Sequence, residues 1–102
     1  MQNAGFERTT DVLDPAAPTT KQRIARLVRQ LLAKRGIDRV VGDDAELGES
    51  GLSSLDIVNL MLAVESEFDL TIPEREMRPA NFRSVAHIEA LVASLMEPGA
   101  AL

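Results

Sequence analysis

Ser53 and Ser54 are the hydroxyls whose setting could support chemistry: they follow Gly51-Leu52 and open a stretch of helical periodicity. Capping preference assigns Ser53 to the N-cap, accepting a first-turn backbone N–H, with Asp56 favoured by the helix dipole. Ser54 is then the first helical residue, and its spare hydroxyl points to solvent on the side of Val58 and Glu65. A phosphodiester attached there would sit at the positive helix end, which stabilises anions. Other reactive groups are few. The chain has no Cys, which removes disulfides, thiolate metal sites and a thiol nucleophile. His87 is the single histidine and falls beside Val85 and Ile88, so it reads as a helix-boundary or surface residue, not a catalyst or ligand. Asp38 to Glu49 has acids enough for a calcium loop, but Val40 and Gly42 stand where ligand oxygens are required. Gly51-Leu52-Ser53-Ser54 lacks the nucleophile-elbow pattern of hydrolases. No catalytic residue and no metal site is expected.

The elements that must position these serines follow from the apolar spacing. Ile24, Leu27, Val28, Leu31 and Leu32 mark one stripe of a helix predicted over Thr20 to Arg35. Thr19 with Gln22 suits a capping box, and Gly36 a left-handed stop. A long connection from Ile37 to Leu52 follows, with Ile37, Val40, Val41, Leu47 and Leu52 available to pin it to the core; loops of this length are often functional. The second main helix is predicted from Ser53 to about Asp69. Glu74 to Phe82 suits a short helix interrupted by Pro79. Ser84 caps a last helix to about Met96, with Val85, Ile88, Leu91, Val92 and Leu95 as its buried stripe. No strand alternation and no internal repeat stands out. The expected fold class is all-α, a small bundle of three main helices plus one short helix. Residues 1–18 read as a flexible lead, 19–96 as the domain and 97–102 as a tail.

The helix after Ser53 has two apolar sides. Ile57, Leu60, Met61, Val64 and Phe68 form one stripe, while Leu55, Val58 and Leu62 fall elsewhere. A surface helix in a small bundle needs one apolar face, so the second is a candidate partner-binding strip unless the long loop folds over it. Asp56 and Glu65 border the strip and would suit docking to a basic patch.

Composition narrows the classes. The net charge is −5 over 102 residues, with bases concentrated between Lys21 and Arg39 and acids between Asp43 and Glu76. Such a balance argues against a nucleic-acid footprint. No apolar run is long enough to span a bilayer, and Met1–Gly5 does not start a signal peptide. A cytoplasmic location is expected.

Gly51-Leu52-Ser53-Ser54-Leu55-Asp56, the helix running to Glu67-Phe68, and then Ile72-Pro73 together resemble the acyl carrier protein family. The resemblance covers Thr20 to Leu95. It implies a non-enzymatic carrier whose Ser54 receives 4′-phosphopantetheine from coenzyme A and holds cargo as a thioester. It also implies docking through Leu55, Asp56, Leu62 and Glu65, the region the two-sided helix marks independently; Val58 joins them on spacing. The implied partners are a phosphopantetheinyl transferase, an acyl- or aminoacyl-loading ligase and acyltransferase-type enzymes, met by a monomer. Ser53 replaces the family's Asp, and Asn59 and Ser66 stand where many fatty-acid carriers have Glu. With Asn81-Phe82 and Ser84, these features resemble the specialised stand-alone carriers of bacteria. The expected cargo is an acyl group of a specialised lipid or secondary-metabolite pathway. The alternatives are an aminoacyl cargo, or an acidic interaction module that never carries the arm.

Overall fold

Thr19 stops the chain from running extended into its first helix. Its side-chain oxygen accepts from the Gln22 N–H at 3.1 Å while the Gln22 side chain accepts from the Thr19 N–H at 2.8 Å, the reciprocal box predicted from their spacing. Helix α1 then runs Thr20–Lys34 and buries Ile24, Val28 and Leu32. It stops because Gly36 turns left-handed at φ 75°, letting the Gly36 and Ile37 N–H groups return to the carbonyls of Ala33 and Leu32. The computed structural model describes residues 17–96. The expected lead therefore lies outside the described residues up to position 16, as does the tail 97–102.

The long connection is not bare loop. It holds a one-turn helix, α2 (Leu47–Ser50), closed by Gly51 at φ 126°. Leu47 and Leu52 are buried, and Ile37 and Val41 pack at the core edge. Val40 departs from expectation: it is 85% exposed, because its neighbours Ile37 and Val41 take the inward positions. Two backbone bonds fasten the connection to the far side of the domain, Leu47 N–H to the Arg83 carbonyl and Ala86 N–H to the Asp43 carbonyl, both 2.9 Å.

Helix α3 (Ser54–Phe68) buries Leu60, Met61, Val64 and Phe68, and ends at Asp69 in the left-handed region, φ 53°. The segment expected to hold one short helix instead forms two separate 3-10 turns, Glu74–Glu76 and Pro79–Phe82. Pro79 begins the second turn, where its missing N–H is harmless. The short α-helix of the bundle is thus α2, before the second main helix and not after it. Helix α4 (Val85–Met96) buries Val85, Ile88, Leu91 and Val92. Its Ser84 cap accepts the His87 N–H at 3.2 Å, and Ser84 Oγ lies 2.7 Å from His87 Nδ1. His87 is a capping partner at a helix boundary.

The described residues form an all-helical bundle in which α1 packs on both α3 and α4. Its core is aliphatic except for Met61, Phe68 and Phe82.

Candidate functional site

The start of α3 is held by a closed hydrogen-bond network. Ser53 is the N-cap, and its oxygen accepts from the Asp56 N–H at 3.2 Å. Asp56 Oδ2 in return accepts from the Ser53 N–H at 2.9 Å and from the Ser53 hydroxyl at 3.0 Å. Arg35, which caps the end of α1, reaches across with its fork: Nε donates to Asp56 Oδ2 at 2.9 Å and Nη2 to Ser53 Oγ at 3.1 Å. The Ser53 hydroxyl therefore has its one proton and both acceptor sites in use. Ser54, the next residue, is exposed, and among the described residues no hydrogen bond engages its hydroxyl.

Asp56 differs from its expected place. It is 7% exposed, so it does not border the surface strip as a free docking acid. The physical reason is the capping geometry, which draws the carboxylate under the first turn, where Arg35 closes over it. The Arg35 hydrogen bond, followed by the Ser53 N–H, holds its carboxyl down to about 2. Glu65 is likewise occupied: its Oε2 accepts from the Ile72 N–H at 2.8 Å, tying the helix to the extended segment that leaves it. Both carboxylates work within the fold.

The apolar strip itself is open. Leu55, Val58 and Leu62 are 68%, 48% and 55% exposed, and the long connection does not cover them. Leu62 also lines a groove with Leu27 and Leu31 of α1, to which Lys34 and Asp56 contribute. On its other side Ser54 borders an open depression of about 370 Å³ floored by Leu52, Ile57 and Phe82, with Glu46 and Arg83 at its rim. Arg83 Nε donates to Glu46 Oε2 at 3.2 Å. Glu46 titrates below its ordinary range because Glu49 and Arg83 hydrogen-bond to it, and Glu49 is raised by the same contact with Glu46.

The residues fit a phosphodiester arm on Ser54. The hydroxyl is free, it stands at the positive end of a four-turn helix, and the carboxylate of that first turn, Asp56, is paired with Arg35. Sequence reasoning missed Arg35 and Arg83. Arg35 reads as a cation at a helix C-terminus, and no local spacing pairs it with a residue 21 positions on.

The start of α3 thus combines a saturated cap with an exposed, unengaged Ser54 beside an exposed apolar strip. A family model described as "Phosphopantetheine attachment site" matches residues 22–92, and the chain belongs to that family. It is therefore a carrier and not an enzyme, and the cofactor of its family is covalent 4′-phosphopantetheine. Among curated proteins it is similar to aminoacyl carrier protein 1 of Bradyrhizobium diazoefficiens, 43% identical over 79% of this chain and 90% of the relative. Aminoacyl carrier protein 2 of the same organism is 39% identical over 81% and 93%. The aminoacyl carrier protein of Agrobacterium fabrum is 35% identical over 69% and 89%. The fold matches a chain in the crystal structure of Bradyrhizobium japonicum glycine:[carrier protein] ligase complexed with its cognate carrier protein and an analogue of glycyl adenylate. That match has TM-score 0.64 and 43% identity, over 74% of this chain and 99% of that one. A second structure, of the same ligase with glycylated carrier protein, matches at TM-score 0.62 and 44% identity, over 72% and 99%. No helix among the described residues is long and apolar enough to cross a membrane.

Proposed function

We propose that the chain is an aminoacyl carrier protein with Ser54 as its attachment residue. The observation that carries this reading is the pair of adjacent serines with opposite fates: Ser53 is saturated by Asp56 and Arg35, and Ser54 is exposed and unengaged. The relatives' names support an amino acid as cargo, so the alternative weighed beside the lipid-pathway acyl group becomes the preferred one. The bound arm supplies the thiol that this Cys-free chain lacks. The chain's own residues present that arm. Ser54 anchors it at a rigid helix start, and Leu55, Val58 and Leu62 give a partner an apolar footing beside it. Asp56 and Glu65 act from beneath that footing, fixing the helix at its start and at its exit. The partner is a ligase that activates an amino acid as its adenylate, by likeness to the glycine:[carrier protein] ligase complexes. A phosphopantetheinyl transferase must act first.

The test is intact mass after incubation with coenzyme A and a broad-specificity phosphopantetheinyl transferase, with Ser53→Ala and Ser54→Ala run beside the parent. One added phosphopantetheine in the parent and in Ser53→Ala, absent in Ser54→Ala, is the expected result. Loss only in Ser53→Ala would move the site by one residue, and no gain with several transferases would favour an unmodified interaction module. Mass of the protein from its native source then separates cargoes: an aminoacyl increment supports the reading, and a fatty acyl increment returns it to lipid metabolism.

A further inference from the structure

Arg35 belongs to α1, yet its guanidinium spends both arms of its fork on the first turn of α3. Nε bonds the carboxylate that caps the helix, and Nη2 bonds the hydroxyl adjacent to Ser54. Most charged pairs on this surface are simple contacts, such as Lys21 with Asp43 at 3.1 Å, half exposed on both sides. The Arg35 pair differs in that the Asp56 side chain is 10% exposed. Three donors converge on the single oxygen Oδ2: Arg35 Nε, Ser53 N–H and Ser53 O–H. Such a network determines the rotamers of Asp56 and Ser53 and, through the peptide that follows, the orientation of the first helical residue.

We propose that Arg35 is a positioning residue for modification: it locks the first turn of α3 so that Ser54 alone, in one orientation, meets the phosphopantetheinyl transferase. This rests on the assignment of Ser54 as attachment residue. The lock works in two ways. Arg35 Nη2 takes the second acceptor site of the Ser53 oxygen, leaving that hydroxyl no free lone pair for attack. Asp56, bonded to the Ser53 hydroxyl, is too weak a base to activate it while Arg35 is beside it. The backbone of the first turn, and with it the direction in which the Ser54 Cβ leaves the helix, is meanwhile fixed, and orientation of this kind governs transfer rates strongly. Lys in place of Arg keeps the charge but cannot bond two acceptors in a planar fork.

Steady-state transferase kinetics with coenzyme A on full-length parent, Arg35→Ala and Arg35→Lys carriers test this, with modification sites mapped by mass spectrometry and folding followed by circular dichroism. The expected result is a drop in kcat of roughly tenfold in Arg35→Ala with KM for the carrier little changed, as expected for lost orientation. Arg35→Lys should recover only part of it. Parent kcat in a folded Arg35→Ala would overturn the proposal and reduce the network to a surface ion pair. A rise in KM at unchanged kcat would overturn it too, by making Arg35 a direct docking contact. Should Arg35→Ala not fold, Arg35→Lys decides: full parent kcat overturns the proposal, and a reduced kcat in the folded variant supports it. A parent that is not modified at Ser54 defeats the attachment assignment instead, which keeps the two failures distinct.

Discussion

At the scale of single residues, the proposed attachment site turns on which hydroxyl is left free. Ser53 and Ser54 are chemically identical; Ser53 is the extended N-cap held by Asp56 and Arg35, and Ser54 is the first helical residue without such contacts. Asp56 ties this network to pH. Its folded carboxyl titrates at about 2 against an ordinary 3.8, held there first by Arg35. A depressed carboxyl contributes stability that is complete above the ordinary value and is lost as pH falls through the folded one. Melting temperatures of parent and Asp56→Asn should therefore differ most at pH 5 and converge towards pH 2, when followed by circular dichroism in parallel. A gap that stays constant with pH would show that the Asp56 charge contributes nothing. Ser53→Ala removes the N-cap and should cost about 1 kcal/mol in urea unfolding.

At the scale of the elements, two glycines of the α2 turn need opposite treatment. Gly51 closes α2 at φ 126°, and a Cβ there would collide with Ile37 Cδ1. Gly48 lies within α2 with nothing near its would-be Cβ. Gly51→Ala should destabilise the domain by about 1 kcal/mol or more, because an L side chain is strained at this φ; Ile37 Cδ1, the end of a flexible side chain, can move aside. Gly48→Ala should stabilise it by up to about 1 kcal/mol through helix propensity. Urea titrations of the two variants check both signs. The pair matters for function because α2 and Gly51 lead directly into Leu52 and the Ser53 cap, and Leu52 floors the depression beside Ser54.

At the scale of the whole molecule, the basic run of α1 and the acidic segment after it meet in space. Arg23 donates to Glu67 Oε2 at 2.8 Å and to the Glu67 carbonyl at 2.7 Å, and its guanidinium carbon lies 4.3 Å over the Phe68 ring. Arg35 pairs with Asp56, Lys21 with Asp43 and Arg83 with Glu46. Several acids that would otherwise attract a basic partner are thus answered internally. Leu62→Ala should change stability by less than about 0.5 kcal/mol, as exposed substitutions do. It should also slow loading by an aminoacyl ligase, read as the rate at which the holo-protein gains the amino acid mass. Phe82→Ala contrasts with it. Phe82 is 1% exposed and joins the Pro79–Phe82 turn to the core, and truncation should cost about 3–5 kcal/mol. That is a large part of the stability of a domain this small, so unfolding near room temperature is the outcome to look for.

Local chemistry made much of this protein legible in its sequence. The boundaries of α1 and α3 follow from Thr19, Gln22, Gly36 and Ser53, because a cap acts within three or four residues of where it is written. The core stripes follow from helical period, and the strip of Leu55, Val58 and Leu62 from being out of phase with them. The carrier family was legible because its motif, helix and Ile72-Pro73 occur in order along one stretch of chain. Tertiary structure alone decided the rest. One short helix formed at Leu47–Ser50, where the connection is pinned by the Arg83 and Asp43 carbonyls, and the 74–82 segment broke into two turns instead. Val40 turned outward because its neighbours filled the inward sites. Asp56 passed from a surface acid to a buried one because the capping box draws it under the first turn and Arg35, 21 residues earlier in sequence, arrives over it only when α1 packs on α3. Charge and hydrogen-bond pairing depend on distance in space, which periodicity along one helix does not contain.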